Sequence, residues 1–389
     1  MASRAPSTLP PGKRPDIRTR VNDFWQHVTD GMEVSQLWSQ FEKDARSSYR
    51  FYNRGLDQAA ENVSPGKRFL FTARQLFWAI LEKLTPARRV LLLAALVMLI
   101  FPGGGFTFRD QSGTERGVQI DLHFFGGLFL LVVLVLEVAD RVVMKRDLEI
   151  AKEIQTWLLP GAAPLIPGVA VAYMTRPANT VAGDYYDVFP RPGRTPQEDR
   201  VFLIVADVAG KSIPAAMLMA TLQASLRTLS NTHSSLGEVV TGLNQYACSN
   251  SQGGTRFTTA FLAELDPATR QLTYINAGHN APMLRHATGA IERLERGGLP
   301  LGILLDANYE TGTAALGTGD WLLIFTDGLV EANNTKGDEF GEERTVAVLN
   351  AGIQATPEEM LSHLTTALDA FVGNTPQHDD VTAMLLKCT

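Results

Sequence analysis

The sequence predicts an α+β sandwich over its C-terminal part, preceded by a helical region that ends in two apolar runs. Three observations carry this. Beyond Pro160, short β-rich runs fall into groups with helical stretches between them, unlike the regular alternation of a wound parallel sheet. Before Leu159, apolar residues recur at helical spacing. Between these lie two uncharged stretches, Val90 to Phe101 and Phe124 to Leu136.

At 389 residues there is room for two or three domains and one large core. A net charge of -6, with no basic stripe interleaved with aromatics, argues against nucleic acid as a partner. Cys248 and Cys388 are far apart and predict reduced thiols in a cytosolic setting rather than a disulfide framework.

Residues 1–20 are rich in Pro, Ser and Arg and are expected to be a disordered tail. Over 21–88 a helical pattern follows, with Phe24, Trp25, Val28 and Met32 on one face and Phe71, Leu76, Phe77, Ile80 and Leu81 on a later one. Residues 89–139 hold the two apolar runs. Arg88 and Arg89 precede the pair, and Arg141, Lys145 and Arg146 follow it. The intervening segment offsets Arg109 and Arg116 with Asp110, Glu115 and Asp121. Positive charge is denser outside the pair than within it, which predicts a two-helix membrane hairpin with both ends and the catalytic region cytoplasmic. A buried helical hairpin in a cytoplasmic protein is the competing arrangement, because each uncharged run is shorter than the ~18–20 residues that span a bilayer. From 140 to 159 the stripe Val143, Leu148, Ile150, Ala151, Ile154 and Leu158 predicts one amphipathic linker helix, stopped by Pro160-Gly161 and suited to pairing with its copy in a homodimer.

Residues 160–389 form the catalytic region. Strands are expected at Val169–Tyr173, Asp184–Phe189, Val201–Val205, Thr258–Leu265, Gln271–Ile275, Trp321–Phe325 and Val381–Leu386. Helices are expected at Ala215–Leu229, Ser235–Ala247, Glu343–Asn350 and Pro357–Phe371. Four of the strands carry an Asp where the chain turns. Asp184 opens one strand, Asp207 ends VFLIVAD, Asp327 ends WLLIFTD, and Asp379-Asp380 begins the last. A carboxylate at the end of a buried strand is costly unless it is paired or binds a cation. No Lys or Arg sits at matching strand ends in all four cases. Hard oxygen donors without His or Cys suit Mg²⁺ or Mn²⁺ rather than Zn²⁺. Two such ions roughly 4 Å apart supply what phosphomonoester hydrolysis needs: an activated water held in line and neutralised phosphoryl oxygens.

Other chemistries fit less well. The strand running into Gly210-Lys211-Ser212 lacks the Gly that a Walker A loop needs at the position of Val205. There is no Gly-x-Ser-x-Gly elbow, and the seven His residues are dispersed. A catalytically inactive partner-binding scaffold of the same fold is the remaining alternative. It would be expected to have lost one of the four acidic points, and all are retained.

The run from Leu158-Leu159-Pro160 through AGDYYD, IVADVAGKSIPAAMLMA, TAFLAELD, YINAGHNAPML, LPLGI, LLIFTDGLVEA and DDVT resembles the SpoIIE-like protein serine phosphatases, bacterial relatives of the metal-dependent PPM phosphatases. The match covers about 230 residues in order. It implies an αββα sandwich with two Mn²⁺ or Mg²⁺ ions at the edge of two packed sheets. By position, Asp207 corresponds to the bridging carboxylate and Val208 to a backbone-carbonyl ligand, with Asp184, Asp327 and Asp379 as the remaining ligands and Asp380 as the alternative to Asp379. Asn276 to Asn280 and Glu331 are expected to support turns. The implied substrate is a phosphoserine or phosphothreonine on a partner protein of the anti-sigma-factor-antagonist (STAS) type. Two departures stand out: Ala182-Gly183-Asp184 where the family has Gly-Gly-Asp, and Gly210-Lys211-Ser212 where it has Gly-Lys-Gly.

Overall fold

The computed structural model describes residue 74, residues 77–78 and residues 81–389, apart from 102, 104, 110–114, 120, 194, 196–198 and 252–255. The expectations for 1–20, and nearly all of those for 21–88, lie outside the described residues. The chain divides into two compact units between Val138 and Ala139.

In the first unit, α1 (Pro86–Ile100) is followed by an antiparallel strand pair, β1 (Gly105–Arg109) and β2 (Glu115–Gln119), and then by α2 (Leu122–Leu158), of which the residues up to Val138 belong to this unit and those from Ala139 to the second. Gly126 lets α2 approach α1 closely: a Cβ there would stand 3.0 Å from the Ala95 carbonyl and 3.1 Å from Leu99. Arg88 Nη1 donates to Glu137 at 3.3 Å, so the two helices run antiparallel. Helix α1 has 15 residues, about 22 Å at the usual rise, short of a ~30 Å hydrocarbon core. Among the described residues, one helix, α2, is long and apolar enough to cross a membrane. The second apolar run and the expected linker are one continuous helix of 37 residues, because nothing between Leu128 and Leu158 breaks it: neither Pro nor Gly occurs there.

The second unit is an α+β sandwich. Its elements are β3 (Val169–Arg176), β4 (Tyr185–Arg191), β5 (Arg200–Val208), α3 (Ile213–Thr232), α4 (Leu236–Asn250), β6 (Thr258–Leu265), β7 (Gln271–Ala277), β8 (Met283–Arg285), β9 (Ile291–Arg293), β10 (Gly297–Gly298), β11 (Gly312–Ala315), β12 (Trp321–Phe325), α5 (Asp327–Val330), α6 (Gly341–Ala351), α7 (Pro357–Val372) and β13 (Val381–Cys388). One sheet runs β10-β7-β6-β5-β4 with β11 also on β7, and the other β3-β13-β12-β8-β9. All seven predicted strands are present. Strands β8 to β11 are additional: β8 and β9 pair with each other, and β10 and β11 each pair with β7.

Strand alternation sorts the side chains into three layers. Leu203, Val205, Phe261 and Ala263 of one sheet meet Leu322, Ile324, Met384 and Leu386 of the other between the sheets. Phe202, Ile204, Ala206 and Leu262 face outward onto Met219, Leu222 and Leu226 of α3 and Val240 and Leu243 of α4. Trp321, Leu323 and Leu385 face outward onto Leu349 of α6 and Met360 and Leu364 of α7. Helices therefore cover both outer faces. Capping boxes start α4 at Ser235 with Glu238 and α7 at Thr356 with Glu359.

Candidate active site

The period of two that builds the core also places the polar residues. In β5, Leu203 and Val205 point between the sheets, and the next residue on that face is Asp207. In β4 the inward set is Tyr186 and Val188, so Asp184, just before the strand, falls on the same face. In β12 the inward Leu322 and Ile324 are followed by Thr326, and in β13 the inward Met384 and Leu386 are preceded by Thr382 and Asp380. Both sheets thus deliver oxygen-bearing side chains to one end of the sandwich.

Asp184 is buried and accepts from Thr326 Oγ1 at 2.9 Å. Burial pushes its carboxyl well above the usual range and the charge of Asp207 raises it further, against hydrogen bonds from Thr382 and Thr326. Asp207, opposite Thr259 on β6, is pushed up to about 7, first by burial and then by Asp327, Asp379 and Asp380, while Lys211 draws it down. Asp327 opens α5 and is raised by burial and by Asp379. Glu331, just after α5, is raised by burial and then by Asp327, Glu339 and Asp379.

Asp379 and Asp380 have different partners. Asp380 Oδ1 accepts from the Ala178 N–H at 2.7 Å, and its Oδ2 from the Gly183 N–H at 2.6 Å. Both its oxygens therefore hold the loop that leads into Asp184. Asp379 Oδ1 accepts from the Asp380 N–H at 3.0 Å, and its Oδ2 from Lys211 Nζ at 2.9 Å.

Glycines mark the closest approaches. A Cβ at Gly183 would stand 3.1 Å from the Val208 carbonyl, the backbone oxygen that the family resemblance implies as a ligand. A Cβ at Gly328 would collide with the Asp380 carbonyl, which accounts for glycine directly after Asp327. The structure also places the two departures in sequence. Ala182 is buried, with both backbone groups bonded to Gln155 of α2: Nε2 donates to its carbonyl at 2.7 Å and its N–H donates to Oε1 at 3.0 Å. Ser212 sits at φ 65° after Gly210 at φ 122°, so serine occupies a conformation that glycine adopts more cheaply.

Behind the carboxylates, Asn276 closes the turn to His279. Its Oδ1 accepts from the His279 N–H at 2.7 Å and its Nδ2 donates to the His279 carbonyl at 3.0 Å. Burial lowers the His279 ring to about 4, and its Nδ1 lies 3.1 Å from Thr259 Oγ1. On the outer side of β4, buried Asp187 accepts from Tyr185 Oη at 2.7 Å and from Arg227 Nε at 2.9 Å. That guanidinium also covers the Phe189 ring at 3.8 Å, fixing α3 to the strand that follows Asp184. A cavity of about 980 Å³ opens at the far end of β4, lined by Arg191, Arg200 and His233 and by none of these carboxylates. Its Arg191 is already paired with Glu264.

Among the described residues no three Asp, Glu, His or Cys side chains converge closely enough to hold a metal ion as they stand. The donor chemistry nevertheless fits a hard divalent cation. After burial, Asp184 is raised by the charges of Asp207 and Asp380, Asp207 by those of Asp327, Asp379 and Asp380, and Asp327 by that of Asp379, and Lys211 is the cation that opposes Asp207 and Asp327. Charge buried in this way needs protons or cations to offset it. Gln155, Thr326, Thr382 and Lys211 were not expected as parts of the site. A polar Gln between Ile154 and Leu158 on an otherwise apolar stripe is the signal that marks the first.

The SiaA-PP2C domain of Pseudomonas aeruginosa shares this fold, with 22% identity and a TM-score of 0.56 over 64% of this chain and 99% of that one. The second unit thus has a PP2C-type fold. Residues 197–389 match the family model for stage II sporulation protein E (SpoIIE). Over those residues the chain belongs to the SpoIIE-like family of PPM-type serine phosphatases. Protein IcfG of Synechocystis is 26% identical over 63% of this chain and 42% of its own length. Phosphoserine phosphatase RsbU of Bacillus subtilis is 27% identical over 63% of this chain and 70% of its own. The chain spans less than half of the first of these relatives.

Proposed function

We propose that this chain hydrolyses phosphoserine or phosphothreonine on a partner protein, using two Mn²⁺ or Mg²⁺ ions held by Asp184, Asp207, Asp327, Asp379 and the Val208 carbonyl. The observation that carries this is the set of mutually repelling carboxylates at one end of a PP2C-type sandwich. When bound, the ions supply an activated water and neutralise the phosphoryl oxygens. The chain supplies the frame. Thr326 holds one oxygen of Asp184, Asp380 fixes the loop before it, and Gly328 keeps Asp327 against the start of β13. We assign Asp380 to this supporting role and Asp379 to cation binding, because both oxygens of Asp380 already hold backbone.

The substrate class follows from the relatives, of which RsbU is a phosphoserine phosphatase by name. A STAS-type anti-sigma-factor antagonist is the partner proposed. The test is Mn²⁺-dependent release of phosphate by the full chain from such a phosphorylated protein. Asp207→Asn is expected to lose at least about 100-fold in rate with its circular dichroism unchanged. Full activity in that variant would reject the assignment.

The first unit is proposed to be a membrane hairpin. Val97, Ile100, Leu131, Leu134 and Val135 all expose more than half of their surface or close to it, which an aqueous surface disfavours. The full chain should then resist carbonate extraction. Along the linker part of α2, Ile150, Ile154 and Trp157 are 45%, 49% and 79% exposed, and a second copy is the proposed partner for this stripe. Ile154→Asp should weaken dimerisation in light scattering.

A further inference from the structure

Lys211 stands in the loop between Asp207 and α3, flanked by Gly210 and Ser212, both at positive φ. That backbone restricts where the side chain can point. Its Nζ donates to the His378 carbonyl at 2.6 Å and to Asp379 Oδ2 at 2.9 Å, bridging loops that are 168 residues apart in sequence. The two side chains are 56% and 47% exposed, and a pair so open to water adds little to fold stability. Its placement is explained better by where the charge sits. The ammonium occupies one oxygen of a carboxylate assigned above to cation binding, while the Asp380 N–H occupies the other.

We propose that Lys211 and a divalent cation compete for Asp379, so that this lysine sets how much cation the site requires. The inference rests on the cation-dependent reading of the site given above. A cation taken up by Asp379 must displace the ammonium from Oδ2 or hold it a few ångströms away. Repulsion between the two charges, for side chains this open to water and so at a dielectric near that of water, is worth roughly threefold to thirtyfold in an equilibrium constant. The opposite expectation follows if Lys211 is a structural strap: cutting it would let the β13 loop drift and weaken binding.

Titration calorimetry of Mn²⁺ into the full chain separates the two. Lys211→Met is expected to lower the Mn²⁺ Kd by roughly threefold to thirtyfold, and Lys211→Arg, which keeps the charge, to leave it near the wild-type value. Circular dichroism and the thermal midpoint in EDTA report whether each variant is folded, and Lys211→Gln replaces Met if that variant is not. A neutral variant that is folded and binds Mn²⁺ no more tightly than wild type overturns the competition. If the wild type itself binds no Mn²⁺, the cation-dependent reading fails first and the proposal falls with it.

Discussion

The carboxamide of Gln155 pairs with both backbone groups of Ala182, as a neighbouring strand would, donating to the carbonyl at 2.7 Å and accepting from the N–H at 3.0 Å. Gln155 lies on α2, and Ala182 is two residues before Asp184. Within the second unit, the C-terminal part of α2 is therefore fastened to the loop that aims a proposed ligand.

Gln155→Leu leaves two buried backbone groups without partners, at about 1–3 kcal/mol each. It is expected to lower the thermal midpoint and to raise the Mn²⁺ concentration needed for half-maximal rate. Gln155→Glu keeps the acceptor for the Ala182 N–H but sets a buried carboxylate oxygen against the Ala182 carbonyl, and should cost at least as much as Leu at neutral pH. Unchanged Mn²⁺ dependence in a folded Leu variant would reduce the bond to packing.

Asp379 and Asp380 should separate under single Asn substitution. Asp380→Asn sets an amide against the Ala178 or Gly183 N–H and is expected to cost about 2 kcal/mol of stability. Asp379→Asn should leave the melting temperature nearly unchanged and raise the Mn²⁺ requirement several-fold. The reverse pattern, read by calorimetry and by rate against Mn²⁺, would exchange the two roles.

Ser212→Gly should stabilise the fold. Serine at φ 65° and ψ −146° bears a cost of about 1–3 kcal/mol that glycine relieves, less the entropy glycine loses on folding. A net gain of about 1 kcal/mol, or roughly 2–4 °C in Tm, is the expected result. A lower Tm would mean that the Ser212 side chain holds the loop.

His286 joins two acidic partners, its Nδ1 3.1 Å from Asp320 and its Nε2 3.2 Å from Glu292. Partial burial lowers the ring's pKa, but the bonds and charges of Asp320 and Glu292 outweigh it, and the net shift is upward. With the folded value above the unfolded one, its stabilising contribution is complete below about pH 6.5 and is lost as pH rises through the folded pKa. His286→Gln should therefore flatten the fall of Tm above neutrality. An unaltered slope would place the titrating group elsewhere.

Much of this was legible because burial and chemistry share one period. Val201, Leu203 and Val205 announce an inward face, and Asp207 simply continues it. The strands β8 to β11 run two to four residues, too short for any alternation to register. Lys211 and Gln155 gain their meaning from partners 168 and 27 residues away, which local pattern does not encode. The division of labour between Asp379 and Asp380 depends on which of two adjacent carboxylates meets the Ala178 and Gly183 amides, and both read alike in sequence.

β13 is the last element in chain order, yet it lies inside its sheet, between β3 and β12. As the chain is synthesised, β3 and β12 have no common neighbour until this strand arrives. The inner face of the second sheet is incomplete until then, as is the end of the sandwich where the carboxylates gather. Pairings of this sequence separation form slowly, so Leu203, Val205 and Phe261 lack Met384 and Leu386, which they meet alongside Leu322 and Ile324 of β12, until then. The interval before β13 docks is when this domain is most exposed to aggregation and to proteases. A divalent ion that binds only the closed sandwich would shorten that exposure by favouring the last strand's arrival.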